Sequence, residues 1–161
     1  MRNRFQKVMK NQKGMTLVEL LAVIVILAIV TAIAVPSIGG IINKSKNSAH
    51  ISNALMVINA AKIGVASQDS TLIPTDATPK VITLDGLVAA GYLDVVPQDP
   101  SVKGKTYDKT TSTVTIKKDI NGKYTYSVVL NPDEGTGTTD AYVNASESTL
   151  NKGDKTDPKN P

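Results

Sequence analysis

The sequence predicts an α+β protein in which a long N-terminal helix, first membrane-spanning and then amphipathic, packs on a small C-terminal antiparallel β-sheet head. Three observations predict this class. Residues 20–43 carry no formal charge, residues 51–65 repeat apolar side chains at helical spacing, and residues 112–130 alternate around an Asn-Gly pair. The first two patterns indicate a helix and the third indicates a β-hairpin.

The uncharged part of the helix is long enough to cross a membrane. Its 24 residues would rise about 36 Å at about 1.5 Å per residue, and a hydrocarbon core is about 30 Å thick. Glu19 stands at the edge of this segment, where a carboxylate is costly unless something pairs with it, so it is a candidate functional residue. Residues 1–14 contain five basic residues and no acid, which predicts that this flank stays on the cytoplasmic side.

Pro36 and the pair Gly39-Gly40 interrupt the apolar run. Proline removes one helical hydrogen bond, so we expect a kink near residues 32–36, and the glycines weaken the helix further. The alternative is a helix that ends at Pro36.

An amphipathic pattern follows the glycines, and it predicts one helix from about Met15 to Ser67. Its apolar positions are Ile51, Leu55, Ile58 and Val65.

The head is predicted to contain short elements joined by turns. The expected elements are a strand at 80–84, a brief helix at 84–93 stopped near Gly91, hairpin strands at 112–117 and 123–130 around a turn at 119–122, and a third strand at 140–144. Residues 146–161 are polar and contain two prolines, which predicts a flexible tail.

Composition narrows the functional class. The formal charge is +4, but residues 1–14 contribute +5, and the 13 basic and 14 acidic residues that remain give a net charge of −1. This balance makes direct nucleic-acid binding by the mature chain unexpected. The chain has no cysteine, which excludes disulfides and thiolate chemistry. We find no nucleophile elbow, phosphate loop or supported acid–base pair, so we expect a protein that is not an enzyme and needs no cofactor.

Residues 13–21, with the sequence KGMTLVELL, resemble the cleavage and methylation signature of type IV pilins and the related pseudopilins of type II secretion and competence systems. The resemblance implies that a prepilin peptidase cuts between Gly14 and Met15 and methylates the new amino terminus. It also implies that Glu19, the fifth mature residue, acts in filament assembly. The family usually has phenylalanine where this chain has Met15, a position at which methionine is tolerated.

For assembly, the resemblance favours a pairing of Glu19 with the free amine of Met15 in a neighbouring subunit, with Thr16 close to the new terminus. The implied partners are copies of the same chain in a helical filament, the peptidase, an assembly platform with its ATPase, and membrane lipid before assembly. The implied location is a single-pass membrane precursor and then an extracellular surface filament that supports adhesion, motility or DNA uptake.

A second stretch, residues 87–100, resembles the Gly-Tyr-Leu and Asp-Pro segment of major pseudopilins and several Gram-positive pilins. The absence of cysteine also favours a Gram-positive type.

The resemblance as a whole implies a pilin fold with four parts. These are a leader at 1–14, a helix at 15–68 for anchoring and the filament core, a globular head at 69–145, and the tail at 146–161.

Two further features of the sequence bear on metal binding. His50 is the only histidine and has no cysteine or acid at ligand spacing, so we expect a solvated helix residue. The oxygen-bearing set is a loose calcium candidate without EF-hand spacing, and solvated loop acids are far commoner. It comprises Asp133, Glu134, Asp140 and Asn144.

Three alternatives stay open at this stage. The first is a pseudopilin of a secretion or competence system instead of a pilin. The second is a secretory signal cut after Ala34, which follows an A-x-A-like pattern and would release a soluble binding domain beginning at Val35. The third is a single-pass membrane protein that is never cut.

Overall fold

The structure is a computed structural model, and it describes residues 16–74, 78–133 and 141–153. The chain divides into two compact units, residues 1–42 and residues 43–161. The dividing point lies inside the first helix, α1, which spans Leu17–Ala66.

In the first unit, residues 17–42 are helical throughout and every one of them except Ala34 is exposed. An 18-residue window of α1 has a mean hydropathy of 3.0, and none of that window is buried. The helix continues through Pro36, so the alternative of a helix ending there is wrong. Proline removes one N–H donor, and the hydrogen bonds of the neighbouring turns still hold the helix. The kink at Pro36 stays a prediction.

In the second unit, the remaining part of α1 buries one face in the hydrophobic core. Ile58 and Val65 are buried as predicted, whereas Ile51 and Leu55 are only partly buried against the core. The buried face of α1 is therefore formed largely by smaller residues, which let the helix approach the head closely. These residues are Ala54, Val57, Ala60, Ala61 and Gly64.

A four-stranded antiparallel sheet in the order β1-β2-β3-β4 forms the rest of the head. The strands are β1 at Lys80–Thr83, β2 at Thr113–Lys118, β3 at Tyr124–Leu130 and β4 at Val143–Ser146. In β2 and β3 buried residues alternate with more exposed ones, and the buried set joins the core cluster that also contains α1. The hairpin prediction is confirmed, and the fold is the predicted α+β arrangement of a long helix with a small antiparallel sheet.

The short helix α2 spans Leu84–Ala89 and begins where the Thr83 hydroxyl accepts a hydrogen bond from the Gly86 amide at 3.1 Å. It is shorter than predicted, and Gly91, with a φ of +76°, provides the left-handed conformation that follows its end. The predicted strand at 140–144 forms later, as β4, and Asp140 lies outside the described residues.

The prediction of a polar tail from Ser146 is wrong in its first part. Ser146 caps a third helix, α3, at Glu147–Asn151, and Leu150 in that helix is only 4% exposed. Glu147 also forms an ion pair with Lys62 of α1. One apolar residue at a suitable position is enough to dock this turn on the core. Residues 154–161 lie outside the described part of the chain.

Candidate functional site at the start of the first helix

The residues of the expected cleavage site stand at the edge of the structure. Gly14 and Met15 lie outside the described residues, which begin at Thr16. Thr16 directly follows the expected new amino terminus, and α1 starts at the next residue. The geometry that can be described is therefore that of the first helical turn behind the cleavage point.

Thr16 and Glu19 form a reciprocal hydrogen-bonded cap on this turn. The Glu19 Oε2 atom accepts hydrogen bonds from the Thr16 backbone amide and from the Thr16 hydroxyl, both at 2.9 Å. The Thr16 Oγ1 atom in turn accepts a hydrogen bond from the Glu19 amide at 3.2 Å. This is a capping box, which satisfies backbone donors that a helix start otherwise leaves free. The Thr-x-x-Glu spacing at residues 16–19 is the sequence signal for this cap.

The cap fixes the position of the Glu19 carboxylate. It lies beside the backbone amide of Thr16, one residue beyond the expected new amino terminus. Its second oxygen, Oε1, receives no hydrogen bond among the described residues, and the side chain is exposed. The carboxylate can therefore keep its cap while it accepts a further donor from outside the chain.

Behind this cap, the part of α1 that belongs to the first unit presents apolar side chains on all sides. The Thr31 hydroxyl donates a hydrogen bond to the Leu27 carbonyl at 2.6 Å, so this polar group is satisfied within the helix. A Cβ built on Gly39 or Gly40 would meet nothing within 4 Å, so packing inside this chain does not require either glycine. Such a surface needs lipid or other protein to cover it.

The prediction that His50 is solvated is wrong. The residue is only 5% exposed, and both of its ring nitrogens are hydrogen-bonded. Its Nδ1 atom lies 2.6 Å from the Tyr107 hydroxyl and its Nε2 atom lies 2.8 Å from the Ser101 hydroxyl. Its ring packs 4.6 Å from that of Tyr142. The sequence could not show this, because residues 101–142 reach His50 only through the tertiary fold.

Tyr107 is the buried partner in this cluster, with 1% exposure. Its hydroxyl also accepts a hydrogen bond from the Asn53 amide at 3.3 Å. Burial raises the pKa of Tyr107 well above its ordinary value, because the phenolate would lose its hydration. The cluster joins α1 to the segment before β2 and has the character of a structural network.

The loose calcium set is only half described by the structure, so the calcium site stays a prediction. Asp133 pairs with Lys105 at 2.8 Å, and Asn144 is exposed on β4. Glu134 and Asp140 lie outside the described residues. Within residues 16–74, 78–133 and 141–153, no group of three His, Cys, Asp or Glu side chains could hold a metal ion.

Comparison with known proteins agrees with the N-terminal pattern. Residues 9–35 match the family model described as the prokaryotic N-terminal methylation motif. No curated protein and no solved structure matches the chain. The chain thus carries the prepilin signature of type IV pilins at the start of a long apolar helix. The resemblance found in residues 13–21 is confirmed, and the matched segment contains Thr16, Glu19 and the expected cleavage point.

Proposed function

We propose that this protein is a structural subunit of a type IV pilus-like filament, cut after Gly14, methylated on Met15 and polymerised through α1. The observation that carries the proposal is the prepilin signature placed directly before a helix whose residues 17–42 are uncovered. Signature and helix together supply a processing site and an apolar surface that must be covered. The filament would serve adhesion, motility or DNA uptake.

The exposed apolar helix requires a different surrounding before and after assembly. In the precursor it spans the membrane with the basic residues 1–14 on the inner side. In the filament the same surface packs against copies of the chain, while the head faces outward. The partners of the proposal are the prepilin peptidase, the assembly platform with its ATPase, and the membrane lipid that holds the precursor.

Glu19 is the assembly residue of the proposal. Cleavage frees the Met15 amine, and an apolar surrounding favours a carboxylate that is paired over one that is left alone. The carboxylate oxygen outside the Thr16 cap is available to the Met15 amine of a neighbouring subunit. Thr16 holds the carboxylate in position, and the pair sets the axial register between subunits.

A pseudopilin is the second candidate, favoured by the Gly91-Tyr92-Leu93 stretch. In the structure these residues have packing roles, because Gly91 ends α2, Tyr92 donates a hydrogen bond to Asp69, and Leu93 is buried. Long surface filaments support the pilin. Low abundance with loss of secretion or transformation on deletion of the protein supports the pseudopilin.

The amino terminus of the protein in sheared cell-surface material tests the proposal. Intact mass and terminal peptide sequencing should give a chain that starts at Met15 and carries one methyl group. A chain that starts at Val35 would identify a secreted domain released by signal peptidase. An unprocessed chain confined to the membrane would identify a plain single-pass protein. Either result would overturn the filament proposal.

Two substitutions at Glu19 separate its charge from its cap. Glu19→Ala removes both, and we expect a processed protein that stays in the membrane and gives few filaments. Glu19→Gln removes the charge, and glutamine still serves in a capping box. We therefore expect Glu19→Gln to fail in assembly as well. Assembly of Glu19→Gln at the normal yield would show that the cap matters and the charge pair does not.

A further inference from the structure

A groove runs along α1 in the second unit. It lies apart from the N-terminal site, and core packing leaves it open. Its volume is about 700 Å³, and it is lined by the α1 residues between Ser52 and Ile63 and by residues 92–95. The α1 wall covers 11 residue steps, which correspond to about 17 Å along a helix. The groove is therefore long enough to accept about three turns of another helix.

The rim of the groove is apolar and exposed. Met56 is 50% exposed, Ile63 is 58% exposed, and Val95 on the other side is 71% exposed. Met56 and Ile63 are seven residues apart, so they lie on one face of α1. Small residues, Ser52 and Ala60, lie along the same wall and allow a second backbone to approach closely.

Among the described residues that line the groove, only Asp94 is charged. Among the described residues it has no ion-pair partner. The other polar side chains of the lining are Ser52, Asn59 and Tyr92, and the remaining six lining residues are apolar. The groove therefore fits an apolar rod that carries one cation near the position of Asp94.

The chain itself contains a segment with this chemistry. Val35, Ile38 and Ile42 are exposed and spaced by three and four residues, which places them on one helical face. Lys46 follows Ile42 by four residues, the spacing of the next turn on that face. Lys46 has no ion-pair partner among the described residues.

We propose that the groove receives the segment Val35–Lys46 of a second copy, with Lys46 placed against Asp94. This inference rests on the proposed filament function and names the surface through which neighbouring subunits are held. Groove and segment are different surfaces of one chain, so the contact is heterologous and each added copy exposes the next groove. The apolar segment that leaves the lipid is thereby covered by protein.

Cysteine cross-linking on assembled filaments tests the proposal, because the natural sequence has no cysteine. The double variant Ile42→Cys/Val95→Cys places one thiol on the segment and one on the groove rim. After oxidation, or reaction with a short bifunctional maleimide, sheared filaments should give a ladder of dimers, trimers and higher multiples. The single variants can give dimers at most, because each chain then carries one thiol.

A second double variant, Ile42→Cys/Ile120→Cys, is the matched control. Ile120 is fully exposed in the turn between β2 and β3 and does not line the groove. It should give no ladder beyond the dimer. Equal ladders from the control and from Ile42→Cys/Val95→Cys would show that the cross-links are unspecific and would overturn the assignment.

Charge reversal gives an independent readout. Asp94→Lys and Lys46→Asp should each reduce the filament yield by roughly tenfold, because each places like charges together. The combined variant should recover most of the yield. Losses in the combined variant equal to the product of the single losses would overturn the ion pair and with it the proposed register.

The outcomes separate this proposal from the proposed function. Filaments of chains that start at Met15, without a ladder from Ile42→Cys/Val95→Cys, would overturn the groove assignment and leave the filament function standing. A cross-linked product with the mass of a different protein would overturn the second copy as the occupant. Absence of both processing and filaments in the wild type would overturn the two proposals together.

Discussion

Replacing His50 by phenylalanine removes a buried hydrogen-bonding group while keeping an aromatic ring at the same position. The variant loses the bonds to Tyr107 at 2.6 Å and to Ser101 at 2.8 Å. A neutral hydrogen bond contributes about 1 kcal/mol to net stability, so these two together contribute about 2 kcal/mol. The Tyr107 hydroxyl keeps its bond from Asn53, which limits any further penalty. We expect the free energy of unfolding to fall by about 2 kcal/mol.

Urea unfolding of the full chain in detergent measures this change. All five tyrosines lie between residues 92 and 142 and there is no tryptophan, so tyrosine fluorescence follows the head alone. The matched control is Asn59→Ala, an exposed position on the same helix, which should change stability by less than about 0.5 kcal/mol.

Tyr107→Phe completes a double-mutant cycle with His50→Phe, and the coupling between the two sites should be about 1 kcal/mol. A stability of His50→Phe within about 0.5 kcal/mol of the wild type would refute the reasoning. It would mean that water satisfies these groups as well as the fold does.

Two further predictions concern the head. Because burial raises the pKa of Tyr107, the unfolded chain ionises first as the pH rises, so stability should be fully present below pH about 10 and fall above it. Tyr107→Phe should reduce the slope of stability against pH between about 10 and 11, and an unchanged slope would contradict the burial effect. Leu150→Ala should lower the free energy of unfolding by about 2–3 kcal/mol, because Leu150 anchors α3 on the core. Asn151→Ala, at an exposed position of α3, is its control, and equal stability of the two variants would favour the flexible tail first expected.

Most elements of the head followed from local patterns. The alternation of residues 112–130 around Asn121-Gly122 predicted β2 and β3 to within one residue at their ends. Gly122 has a φ of +82°, which is the conformation that the turn demands and that glycine adopts easily. Local pattern was enough here because a tight hairpin brings neighbouring residues together.

The errors arose where contacts are distant along the chain. The polar neighbours of His50 in the sequence predict a solvated position, whereas the fold covers its ring with residues 50 or more positions away. The sequence does not predict α3, because five residues are too few to show a helical repeat of apolar positions. The helix depends on the docking of Leu150 on the core. The groove beside Asp94 also joins parts of the chain that the sequence separates by 29 residues or more.

The features that carry the proposed function lie in the sequence itself. The prepilin signature, the basic residues before it and an uncharged run long enough to span a membrane are all local patterns, and their chemistry does not depend on the rest of the fold. The tertiary structure alone decided that His50 is buried with Tyr107 and that a groove lies open beside α1. Each of these depends on distances between atoms, and a linear sequence fixes such distances only after the apolar core has brought helix and sheet together.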